Sequence, residues 1–115
     1  NVSYDFLKDM KDVFGSRQIV FERKNVKEVC KEHINQLNRY LNPAFGSFGI
    51  IMTRNKPQKS VFQHTIDLWS GQRKCILILD DNDLSLMVNV FESKQRDPIE
   101  VIKMKYAEFQ RKCPS

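Results

Sequence analysis

The chain has 115 residues, 41% apolar and 29% charged, which fits one folded domain with its own core and excludes a disordered or fibrous chain. Its 19 basic and 14 acidic side chains leave a net charge of +5, a balance that permits a phosphate-rich partner without requiring one. No apolar run approaches the roughly 18 to 20 residues that would span a bilayer, and the opening NVSYDFLKDM lacks the basic-then-apolar order of a secretory signal.

No Met opens the sequence, so a processed chain or a fragment of a larger parent is expected. Cys30, Cys75 and Cys113 are odd in number and form no CxxC, which points to neither a zinc knuckle nor a disulfide framework. Cys30 and Cys75 fall in apolar patterns and are expected to be buried thiols of a protein in the reducing cytoplasm. His33 and His64 are isolated and have no metal-ligand spacing.

In chain order, residues 3–14 place Phe6, Met10, Val13 and Phe14 at helical spacing before Gly15, a suitable stop. Residues 18–22, rich in β-branched and aromatic side chains, read as a strand. From 26 to 41, Val29, Cys30, Ile34, Leu37 and Leu41 recur every three or four residues, predicting an amphipathic helix ended by Asn42 and Pro43. SFGIIMT, 47–53, reads as a second strand. Pro57 suits the first turn of a helix of about a dozen residues, since its missing N–H needs no partner there. Val61, Phe62, Ile66 and Trp69 would form that helix's apolar face, and 70–72 a turn. KCILIL, 74–79, is a strand apolar enough to be buried on both faces. DDNDLSLMVNVF, 80–91, reads as a helix with Asp80 or Asp81 as its N-cap, and Pro98 starts a last one.

Strands alternating with helices predict an α/β domain, a sheet of parallel strands with right-handed crossovers and helices on both faces. Ligands of such sheets gather at the carboxyl ends of the strands. Those ends are Glu22 to Asn25, Arg54 with Asn55, and Asp80 with Asp81. Side chains two apart on a strand share a face, so Glu22 and Lys24 stand together. A carboxylate there can bind Mg²⁺ or Mn²⁺, and an ammonium can orient water and stabilise charge on a phosphate. An exposed Glu–Lys pair of little consequence is the simpler alternative. On the next helix Gln36 and Tyr40 are four apart and share a face.

The order of four segments, IVFERKN, INQLNRYL, FGSFGIIMTR and CILILDDNDL, resembles the PD-(D/E)XK nuclease superfamily over roughly residues 1–90. It is most similar to bacterial and phage-defence members that carry this domain at the end of a larger chain. The resemblance implies a three-layer restriction-endonuclease-like fold and a Mg²⁺- or Mn²⁺-dependent DNA endonuclease, with a homo-oligomer compatible. It also implies roles. Glu22 and the Arg23 backbone carbonyl would hold metal, and Lys24 would position the attacking water. Gln36 would lie near the active site with Tyr40 supporting it, and Asn25, Tyr40 and Arg54 would meet nucleic acid. Core packing for Tyr40 and a solvated strand end for Arg54 are the alternatives.

One element departs from the family pattern, which needs an Asp on a strand before the Glu-x-Lys strand as central metal ligand. That Asp is expected upstream of Asn1, so weak metal binding and no cleavage are compatible with this chain by itself. Asp5, Asp9 and Asp12 are alternatives, but all fall in the first helical stretch, where an exposed face explains them. Two further readings stay open: a non-catalytic DNA-binding or interaction module of the same fold, and a phosphate-responsive signalling domain using Asp80, Asp81 and Asp83. Helix capping also explains those three carboxylates. Lys56, Lys59, Arg73 and Lys74 form either a weak phosphate-binding surface or solvated charge, and Trp69 reads as core rather than a base-stacking platform.

Overall fold

The two alternating periods of the sequence give three short strands, each followed by a helix, with a further helix at the end. The structure, a computed structural model, describes residues 8, 12, 20–24, 26–42 and 46–114. The elements are β1 (Val20–Arg23), α1 (Lys31–Tyr40), β2 (Phe48–Met52), α2 (Lys59–Gln72), β3 (Cys75–Leu79), α3 (Asp81–Ser93) and α4 (Ile99–Lys112). The strands pair in the order β1-β2-β3, all parallel, with Glu22 opposite Ile51 and Ile51 opposite Ile78. Lys8 and Asp12 are helical and exposed. The expected apolar face at Phe6, Met10, Val13 and Phe14 lies outside the described residues, as do Asp5, Asp9 and Asn25.

Strand alternation sorts the core into two clusters. Phe48, Ile50, Cys75, Leu77 and Leu79 meet Ile102 and Phe109 of α4. Ile51, Ile76 and Ile78 meet Ile34 and Leu37 of α1, with Leu41 just after it. Both faces of β2 and β3 are therefore covered, which is why these strands read as unbroken apolar runs. Helix α2 supplies Ile66 to one cluster and Val61 and Leu68 to the other. Gly49 sits under α1, where a Cβ would stand 3.1 Å from Leu37 Cδ2 and 3.4 Å from Leu41 Cδ2. Its missing side chain lets the helix close on the sheet.

Three expectations are corrected. Helix α1 starts at Lys31 rather than at 26, because Cys30 is its extended N-cap and the Cys30 N–H donates to His33 Nδ1 at 3.0 Å. Ahead of it, Asn55 Nδ2 donates to the Lys27 carbonyl at 2.6 Å and ties the intervening loop to the end of β2. Residues 70–72 are the last turn of α2 and not a reversal. The chain turns at Arg73, φ 55°, a left-handed C-cap whose guanidinium lies 5.0 Å from the Trp69 ring centroid. Cys30 is exposed, since its place at the cap leaves Val29 to enter the core, whereas Cys75 is buried and burial pushes its thiol pKa up. Among the described residues, no helix is long and apolar enough to cross a membrane.

Candidate functional site at the carboxyl edge of the sheet

Parallel strands end together, so their last residues and the first turns of the following helices share one edge. The ladder continues past the strands: the Lys24 N–H donates to the Met52 carbonyl and the Thr53 N–H to the Leu79 carbonyl, both at 2.9 Å. Alternation places Glu22 and Lys24 on the side of the sheet that α1 covers, and turns Arg23 with its neighbour Met52 to the other.

On the α1 side three polar groups meet. Lys24 Nζ is 2.8 Å from Glu22 Oε1 and donates to Gln36 Oε1 at 3.2 Å. The Lys24 and Glu22 side chains are 20% and 26% exposed, so the pair is sheltered rather than free in water. Lysine has three protons to donate, and these two contacts leave one over. Because Gln36 accepts through its oxygen, its amide nitrogen keeps both protons for another acceptor. Gln36 is there because Ile34 and Leu37, buried on either side of it in sequence, seat α1 on the sheet.

Glu22 Oε2 is shielded from solvent and has no hydrogen-bond partner among the described residues. An orphaned buried oxygen of this kind is one that a water or cation satisfies, and Mg²⁺ and Mn²⁺ are hard cations that take oxygen ligands. The oxygen therefore fits a divalent cation. Among the described residues no three His, Cys, Asp or Glu side chains gather as a metal-binding group. A cation here would draw the rest of its shell from water and phosphate oxygens, as Mg²⁺ commonly does.

The remaining expected residues are divided. Tyr40 projects from the same helix as Gln36 but is 62% exposed, and its hydroxyl makes no hydrogen bond among the described residues. It is not a core residue. Arg54 is exposed at the end of β2 and borders a cleft of about 430 Å³. Arg23 and Lys24 border it from β1, Met52 and Thr53 from β2, and Asp81 and Leu84 from α3. Sequence reasoning had placed Arg54 and Asp81 at strand ends. It had not used the side chain of Arg23, which alternation turns away from Glu22, nor Thr53 and Leu84.

The acidic stretch that follows β3 is occupied with its own helix. Asp80 Oδ1 accepts from the Asp83 N–H at 3.0 Å, Asp83 Oδ2 accepts from the Asp80 N–H at 2.9 Å, and Lys105 Nζ lies 3.5 Å from Asp83 Oδ2. This is a reciprocal capping box. Asp80→Ala should lower stability by about 0.5–2 kcal/mol, read as a fall in the urea midpoint. An unchanged midpoint would show that the cap contributes nothing.

Comparison of the chain with known proteins gives no match among family models, curated proteins or solved structures.

Proposed function

We infer that this domain is a Mg²⁺- or Mn²⁺-dependent DNA endonuclease of the PD-(D/E)XK type, its small parallel sheet forming part of a three-layer restriction-endonuclease-like fold. The observation that carries the reading is the contact of Lys24 with both Glu22 and Gln36, beside a carboxylate oxygen that has no partner among the described residues. An isolated surface ion pair needs neither the glutamine nor the orphaned oxygen.

Glu22 Oε2 and the Arg23 carbonyl would hold the cation, which supplies charge neutralisation at the phosphate and a more acidic water. Lys24 would offer its remaining proton to the attacking water or to a non-bridging phosphate oxygen, where negative charge grows as phosphorus adds its fifth oxygen. Gln36 fixes the ammonium in place and turns its own amide protons outward as further donors. The water's oxygen bonds to phosphorus as its proton passes to solvent, the opposite P–O bond breaks, and the departing oxygen takes a proton from solvent. Asn25, Tyr40 and Arg54 are proposed contacts to the rest of the nucleic acid, which phosphate attraction would make sensitive to salt.

Calorimetric titration with MnCl₂ tests the reading on the full-length protein. The expected result is one binding event in the wild type that disappears in Glu22→Gln, a change that keeps the shape and removes the charge. Binding that survives in Glu22→Gln moves the cation elsewhere, and a wild type that binds no Mn²⁺ favours a non-catalytic module.

A further inference from the structure

Arg23 and Arg54 both border the cleft at the carboxyl edge, one from the end of β1 and one from just past the end of β2. Neither guanidinium has an ion pair or hydrogen bond among the described residues, although the carboxylate of Asp81 borders the same cleft. Two unpaired, rigid, forked donors facing one concavity suit a phosphate, which arginine can grip in a bidentate manner. Met52 and Leu84 give the same cleft apolar lining. Thr53 borders it too, only 4% exposed and with a hydroxyl that has no partner among the described residues. Lys24 belongs to both places, bordering the cleft while it holds Glu22 and Gln36.

These features form an amphipathic slot with cations on its rim, an apolar wall, and one acceptor at the helix end. We propose that the cleft seats one nucleotide of a single DNA strand. Its phosphate lies against Arg23 and Arg54, its sugar and base lie against Met52 and Leu84, and Asp81 accepts from a base N–H, which the N3–H of thymine supplies. The volume of about 430 Å³ is that of a small-molecule pocket and takes one unpaired nucleotide. The preferred substrate is therefore single-stranded, frayed or flapped at the position next to the bond that is cut. The proposal rests on the nuclease reading for the identity of that bond and on the cleft alone for the seat of the nucleotide.

Fluorescence anisotropy in EDTA, so that nothing is cleaved, separates the two. The probes are labelled oligothymidylate and a hairpin duplex of equal nucleotide count, titrated at several salt concentrations. The wild type should bind oligothymidylate at least about fivefold more tightly than the hairpin. Arg23→Ala with Arg54→Ala should weaken oligothymidylate binding and flatten the plot of log K against log salt by about 0.7, the contribution of one neutralised phosphate on a single strand. Thermal unfolding of the double variant should stay close to wild type, since both side chains lack partners among the described residues.

An unchanged slope in the double variant overturns the cleft as a phosphate seat. Equal or tighter binding of the hairpin overturns the single-strand preference, and a wild type that binds neither probe overturns the proposal outright. The nuclease reading fails separately, if Glu22→Gln cleaves oligonucleotide as fast as wild type with Mg²⁺ present. In that case the arginine effect on binding still stands.

Discussion

On the nuclease reading proposed above, Lys24→Met should slow phosphodiester cleavage by about 10²- to 10³-fold, the usual effect of removing one preorganised donor from a site of developing charge. The same change strips Glu22 Oε1 of its 2.8 Å partner while Oε2 already has none, so the carboxylate is left sheltered and unpaired. A loss of about 1–3 kcal/mol of stability is expected at neutral pH, toward the low end because Glu22 retains some contact with water. Activity and stability would then fall together, which by itself decides nothing about catalysis. Lys24→Arg separates them. It keeps a positive charge against Glu22 and should hold the urea midpoint near wild type. Its planar fork cannot replace a compact ammonium that meets both Glu22 Oε1 and Gln36 Oε1, so cleavage should remain at least about tenfold down. Single-turnover cleavage and urea unfolding of the two variants supply the readout. If cleavage recovers with stability in Lys24→Arg, Lys24 is a structural partner of Glu22 and the catalytic role is lost.

The pairing of Glu22 with Lys24 was legible from the sequence because it depends only on strand alternation, and the helix that brings Gln36 to it was legible from Ile34, Leu37 and Leu41. What joins them was not. Gln36 reaches Lys24 only because Gly49, on the neighbouring strand, leaves room for Leu37 to settle, and no local pattern connects a glycine to a side chain twelve residues earlier. The cleft was half visible for a related reason. Its members come from the ends of two strands and the first turn of α3, and only the parallel register brings Arg23 beside Met52 and Arg54. Helix limits failed where a side chain or a single backbone angle overrode periodicity. His33 caps Cys30 and so starts α1 late, and left-handed Arg73 lets Gly71 remain helical despite its poor propensity. The acidic run at 80–83 shows the opposite case, since local capping rules accounted for Asp80 and Asp83 without any reference to the rest of the fold.

Leu37→Ala should be among the most destabilising single changes, and it should reach the site without touching it. Leu37 is 0% exposed, lies on the inner face of α1 with Ile34, and fits against Gly49 at the centre of the sheet. Truncating a leucine so enclosed removes its transfer free energy and leaves a cavity that neighbouring side chains fill only in part, for a loss of about 2–5 kcal/mol. Against the roughly 5–15 kcal/mol that holds a typical domain folded, that is a large fraction. Helix α1 has no acceptor side chain at its N-cap beyond the Cys30 thiol, so packing, rather than capping, holds it to the sheet. A loosened α1 carries Gln36 away from Lys24, and the 3.2 Å hydrogen bond between them should lengthen or break. The variant should therefore unfold at lower urea and, at temperatures where it is still folded, lose its grip on the ammonium. Gln36→Leu supplies the comparison, since it deletes that hydrogen bond while leaving the Leu37 contact intact. Cleavage reduced to a similar degree by both variants, with only Leu37→Ala strongly destabilised, is the expected pattern. A stability loss below about 1 kcal/mol for Leu37→Ala would mean that α1 is not pinned at this point, and the route from core packing to Lys24 would have to be abandoned.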